Sequence, residues 1–96
     1  MRREDVLRSL ADHRDEIARF GVTSLSLFGS VARDEARPES DVDILVEFGV
    51  PVGLFEFVGL KMFLEEILVH QVDLVTPDAL RESMRAQVLR EAVRAA

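Results

Sequence analysis

The stretch Gly29-Ser30-Val31-Ala32-Arg33, followed after a polar interval by Ser40-Asp41-Val42-Asp43-Ile44-Leu45-Val46, decides the reading of this chain. A Gly-Ser pair closes one apolar run, and two aspartates one residue apart open another. Ten residues lie between Ser30 and Asp41. Average residue usage gives those four fixed letters a chance frequency of roughly 10⁻⁵ per starting position, so an accidental match in so short a chain is improbable. The pattern reads as a phosphate cradle facing a carboxylate pair.

The flanking segments tell how these residues are held. Thr23 to Phe28 reads as a strand, with Ser24 and Ser26 alternating with Leu25 and Leu27. Val31 to Asp34 is expected to form one helical turn capped by Ser30. Glu35 to Ser40 is polar, contains Pro38 and reads as a loop. Asp41 to Phe48 is a second strand. The period of two puts Val42, Ile44, Val46 and Phe48 on one face and Asp41, Asp43, Leu45 and Glu47 on the other. Both aspartates therefore share a face.

Upstream, Asp5 to Phe20 reads as one amphipathic helix built on Val6, Leu10 and Ile17, with Gly21 as its stop. Its His13 has no second ligand at metal spacing and reads as a boundary residue. Downstream, Gly49 to Gly53 turns the chain at Pro51. Leu54 to Val69 reads as a long helix whose buried stripe includes Leu54, Phe57, Val58, Leu60, Leu64, Ile67 and Leu68. Phe55, Met62 and Phe63 fall largely on another side and form a candidate partner surface for a homo- or hetero-oligomer. Gln71 to Thr76 is a third strand carrying Asp73. Thr76-Pro77-Asp78 carries the marks of a helix start, and Leu80, Met84, Val88 and Ala92 continue a stripe to the C-terminus. The order helix, strand, strand, helix, strand, helix predicts an α/β (α+β) sandwich with a small mixed sheet packed with helices.

The chain is 96 residues long, which predicts a single domain over residues 1–96. Hydrophobic residues make up 48%, enough for a core without staples, and there is no cysteine for a disulfide or thiolate metal site. The charged N-terminus lacks an apolar signal segment, and no uncharged run reaches the roughly 18 residues that span a bilayer. These features predict a cytoplasmic protein. The net charge of −6 argues against a long nucleic-acid footprint, whose affinity needs a basic face. It leaves room for a nucleotide held through a divalent cation.

Two adjacent carboxylates repel, and a divalent cation removes the conflict. Hard oxygen donors suit magnesium or manganese, and magnesium commonly takes substrate phosphates as further ligands. Gly29 lets a phosphate approach the backbone, and Ser30 adds a hydroxyl donor. Arg33 is placed to steady a phosphate or to hold the Asp41 loop. If the third strand lies beside the second, Asp73 completes a set able to hold two metals, and stands nearest the attacking group. No G-x-x-x-x-G-K-[ST] loop, G-x-S-x-G elbow or H-E-x-x-H helix competes with this reading.

At Gly29, Ser30, Asp41 and Asp43, with Asp73 as third carboxylate, the chain resembles the minimal nucleotidyltransferases of the DNA polymerase beta-like superfamily. The likeness runs from Ser26 through Val46 and returns at Val72-Asp73-Leu74-Val75-Thr76. One departure is Asp34, where many relatives have glycine. The resemblance implies an antitoxin that uses ATP and magnesium to transfer AMP to a tyrosine of a HEPN-type ribonuclease toxin. It implies Asp41, Asp43 and Asp73 as catalytic and metal-holding residues, with Gly29, Ser30, Arg33 and Ser40 on the nucleotide. This chain has no tyrosine, so a tyrosyl acceptor must lie in another molecule. The alternative is a weak or inactive member of the fold that neutralises its partner by binding alone. A polymerase or tRNA-modifying role is disfavoured by the acidic charge.

Overall fold

The computed structural model describes residues 2–95. Nine elements are labelled here in chain order: α1 (Arg3–Asp12), α2 (Arg14–Ala18), β1 (Val22–Phe28), α3 (Gly29–Ala32), β2 (Val42–Phe48), α4 (Leu54–Leu68), β3 (Val72–Val75), α5 (Glu82–Glu91) and β4 (Val93–Arg94). The strands form one mixed sheet in the order β3-β2-β1-β4. β1 runs antiparallel to β2 and β4, and β2 runs parallel to β3. The expected α/β layering with a small mixed sheet is thus observed.

The alternation read in the strands fixes the layers. Leu25 and Leu27 of β1, Val42, Ile44 and Val46 of β2, and Val72 and Leu74 of β3 are buried together. Leu60, Leu64 and Leu68 of α4, Val6 and Leu10 of α1 and Ile17 of α2 join the same cluster. Cutting Leu60 or Leu64 to alanine removes fully buried volume and would cost about 2–5 kcal/mol. The sheet's other face carries Ser26, Asp43, Leu45 and Asp73, and becomes the site.

Several expectations are corrected. The first helix is two helices, broken at His13, because the buried row Val6, Leu10, Ile17 has no apolar residue at positions 13 or 14. The His13 Nδ1–H donates to the Ser9 carbonyl (2.7 Å), and its ring meets Phe63 edge-on. Phe63 also packs on Phe20 and so leaves the proposed partner surface. Leu54 and Val58, expected in the buried stripe, are exposed beside Phe55 and Met62. The Leu60-Leu64-Leu68 row of α4 is buried, Phe57 and Ile67 pack partly against the core, and the first turn exposes Leu54 and Phe55.

The C-terminal region also differs. Thr76-Pro77-Asp78 opens a short 3-10 turn over Pro77–Ala79, and α5 starts only at Glu82. Of the expected stripe, Val88 is buried and Met84 is exposed. The chain then extends as β4, pairing Val93 with Leu27 and Arg94 with Ser26. The Ala95 N–H donates to the Leu25 carbonyl at 2.7 Å, satisfying an edge group of β1 that would otherwise lack a partner in the sheet.

Candidate active site

Strand register brings the site together. Phe28 of β1 stands opposite Asp43 of β2, and Asp43 stands beside Asp73 of β3. The residue after Phe28 is Gly29, with φ +70°, which bends the chain off the sheet into α3. That backbone favours glycine. A second reason is steric: a β-carbon at Gly29 would collide with the Asp43 carboxylate. The glycine expected to admit a phosphate thus also makes room for a carboxylate of the site.

α3 begins at Gly29 with Phe28 as its cap residue and no side-chain cap. Ser30 therefore lies within the turn and does not cap it, contrary to expectation. The N–H groups of such a first turn have no partner inside the helix. They lie one residue beyond the strand end that faces Asp43.

Asp43 is half-buried, and its pKa is raised from 3.8 to about 6. Burial is the first cause, followed by the charges of Asp73 and then Asp41, while Arg33 opposes them. Three acidic groups therefore share one field: Asp43 and Asp73 lie side by side in register, and Asp41, expected as the first residue of the strand, stands just before β2 begins at Val42. The site suits a hard divalent cation in donor type and in its uncompensated negative charge. Among the described residues, no three His, Asp or Glu side chains form a ready-made metal cage. Open carboxylate sites that take waters and substrate phosphates as remaining ligands are the usual pattern for magnesium.

Arg33 is engaged elsewhere. Its guanidinium contacts Glu91 of α5 at 3.1 Å and Glu35, the first residue of the loop before Asp41, at 3.6 Å, so it ties α3 to α5 and to the start of that loop. Ser40 shapes that loop: its hydroxyl accepts the Arg37 N–H at 3.0 Å, and its own N–H donates to the Arg37 carbonyl. Asp34 has φ +59°, the backbone that glycine adopts freely. Its carboxylate accepts the Arg3 N–H at the start of α1 (3.0 Å), and the Arg3 guanidinium donates to the Ala32 carbonyl. The negative charge of Asp34 is thus committed to a helix start.

An open cleft of about 750 Å³ adjoins two of the carboxylates. Asp41 and Asp73 line it together with Lys61, Glu65, His70 and Gln71. The Glu65 carboxylate accepts the Val72 N–H (2.9 Å) and contacts Lys61 (3.4 Å), and the Val72 bond followed by Lys61 lowers its pKa. The sequence reading missed this wall. Its only local signals were the four-residue spacing of Lys61 and Glu65 and the closeness of Gln71 to Asp73.

The family described as the nucleotidyltransferase domain matches residues 8–95. The chain belongs to that family. A protein adenylyltransferase, MntA of Thermococcus cleftensis, is 42% identical over 91 residues, covering 94% of this chain and 92% of the relative. A solved chain named as a candidate minimal nucleotidyltransferase is 41% identical, with TM-score 0.82 over 97% of this chain and 95% of its own. The nucleotidyltransferase fold also recurs in a complex of a tri-AMPylated Shewanella oneidensis HEPN toxin with its MNT antitoxin. That likeness has TM-score 0.64 and 19% identity, covers 94% of this chain and 71% of the other, and speaks for the fold alone. Among the described residues of this nucleotidyltransferase, no helix is long and apolar enough to cross a membrane.

Proposed function

We propose that this nucleotidyltransferase is an antitoxin that transfers AMP from ATP to a hydroxyl, with tyrosine the acceptor, on a HEPN-type toxin. The observation that carries the reading is the register of Asp43 beside Asp73, with Asp43 seated against Gly29. The adenylyltransferase named above supports the choice of AMP. The AMPylated toxin complex suggests the class of partner.

Asp41, Asp43 and Asp73 would hold the divalent ions, magnesium first and manganese second. Such ions neutralise phosphate charge and favour in-line displacement at phosphorus. The N–H groups of α3 and the Ser30 hydroxyl hold the phosphate chain. Arg33 adds a cation when it turns from Glu91, and Ser40 keeps the loop before Asp41 in shape. Asp73 accepts the proton of the acceptor hydroxyl. The acceptor oxygen bonds to the α-phosphorus, the bond from that phosphorus to the bridging oxygen breaks, and pyrophosphate leaves.

Neutralisation by binding alone is the second reading. The exposed Leu54, Phe55, Val58 and Met62 on α4 favour it. Co-expression with the toxin separates the two. On the transfer reading, wild type restores growth and Asp43→Asn does not, although both accumulate. Full rescue by Asp43→Asn would assign neutralisation to contact.

A further inference from the structure

We infer that Glu65 is a positioning residue: it holds the start of β3 and so keeps Asp73 beside Asp43 for the divalent ions. This rests on the proposed metal role of Asp73 and deepens it by naming the group that sets that carboxylate in place. β3 is short, Val72–Val75, and lies at the edge of the sheet with β2 as its one neighbour. The Gln71 carbonyl, just before it, accepts the Val42 N–H of β2 at 2.9 Å. Successive main-chain groups of a strand point to opposite sides, so the N–H of Val72 points off the free edge. The Glu65 carboxylate accepts that N–H at 2.9 Å. The Val72 side chain is buried in the core, and Asp73, the next residue, is exposed on the opposite face. A slide or tilt of the strand start therefore moves the Asp73 carboxylate directly.

Glu65 is itself held. It lies in the last turn of α4, between the buried Leu64 and Leu68. Lys61, one turn earlier, donates to the same carboxylate oxygen at 3.4 Å. Residues 69–71 alone join α4 to β3, with Val69 at φ +55° and the His70 Nδ1 paired with the Leu68 carbonyl at 2.9 Å. The bond from Val72 to Glu65 closes this corner and fixes β3 to a helix that is anchored in the core. Metal–ligand distances tolerate displacements of only about 0.2 Å, so a loose edge strand weakens ion binding while the fold persists.

The test compares Glu65→Gln with Glu65→Met by titrating Mn²⁺ alone into the nucleotide-free protein. Both side chains have similar length, favour a helix and carry no charge, so loss of the negative field is common to the two. Glutamine keeps a carbonyl oxygen for the Val72 N–H and methionine does not. Glu65→Met should bind Mn²⁺ about fivefold or more weakly than Glu65→Gln. Equal affinity of the two would overturn the proposal. In an Asp73→Asn background the difference should vanish, and a difference that persists would overturn the route through Asp73. The Val72 amide should exchange with solvent about tenfold or more slowly in wild type than an unbonded amide. Exchange of that amide at the free rate in folded wild type would overturn the proposal without any variant. Asp73→Asn that binds Mn²⁺ as wild type does would sink the metal role of Asp73 and this proposal with it. Weak binding by Asp73→Asn, with equal binding by the two Glu65 variants, would sink this proposal alone.

Discussion

The Asp43 carboxylate occupies the space in which a side chain at Gly29 would begin. One substitution there perturbs both halves of the site. Gly29→Ala meets a positive φ, which costs an alanine about 1 kcal/mol, and it displaces the carboxylate as well. The expected result is a folded protein destabilised by about 1–3 kcal/mol whose AMP transfer falls about a hundredfold or more. Urea unfolding and a labelled-ATP assay read the two effects. Near-normal transfer with Gly29→Ala would contradict the close packing of the two residues.

Asp43 also gives the metal-free fold a pH dependence. Its folded pKa of about 6 lies above the ordinary 3.8, so folding favours the protonated carboxyl. Stability is fullest below the unfolded value and is lost as pH rises through 3.8 to about 6. Two units correspond to about 3 kcal/mol at most, and half-exposure reduces this to about 1–2 kcal/mol. Without divalent ions, Asp43→Asn should therefore be the more stable protein at about pH 7.5, with little gain at about pH 4. Equal gains at both pH values in urea titrations would remove burial and neighbouring charge as the cause.

Val69 ends α4 with φ +55° and is exposed. A β-branched residue is strained in that conformation, which glycine adopts freely at helix ends. Val69→Gly should raise stability by about 0.5–1 kcal/mol, an increase of several degrees in Tm for a chain this short. A lower Tm would show that the Val69 side chain contributes more than its backbone strain costs.

The Arg33–Glu91 pair is partly exposed, and such pairs contribute about 0–1 kcal/mol. Arg33→Ala should accordingly unfold at nearly the wild-type urea concentration. If Arg33 turns toward the phosphates, the same variant binds ATP about threefold to tenfold more weakly. Unaltered ATP affinity would confine Arg33 to joining α3 and α5.

The strands were legible because their period of two matched their burial: Leu25 and Leu27, and Val42, Ile44 and Val46, face one core. The adjacency of Asp73 to Asp43 was legible only through family resemblance, since strand pairing is not written in local spacing. The break at His13 was hidden by good helix formers on both sides. β4 was hidden because Val93 and Arg94 extend a helical pattern, and only the open edge of β1 draws them into the sheet. Asp34 stood out in the sequence only as a departure from the glycine of many relatives, because its tie to Arg3 depends on a contact 31 residues away. The Lys61, His70 and Gln71 wall joins a helix to the strand after it, so no single stretch announces it.

The central claim is AMP transfer to another protein by the aspartates of β2 and β3. Its most direct test is the intact mass of the HEPN-type toxin after incubation with ATP, magnesium and this chain. The account predicts added AMP on a toxin tyrosine with wild type and none with Asp43→Asn or Asp73→Asn. An unmodified toxin with wild-type protein that binds ATP, or equal modification by the aspartate variants, would contradict it.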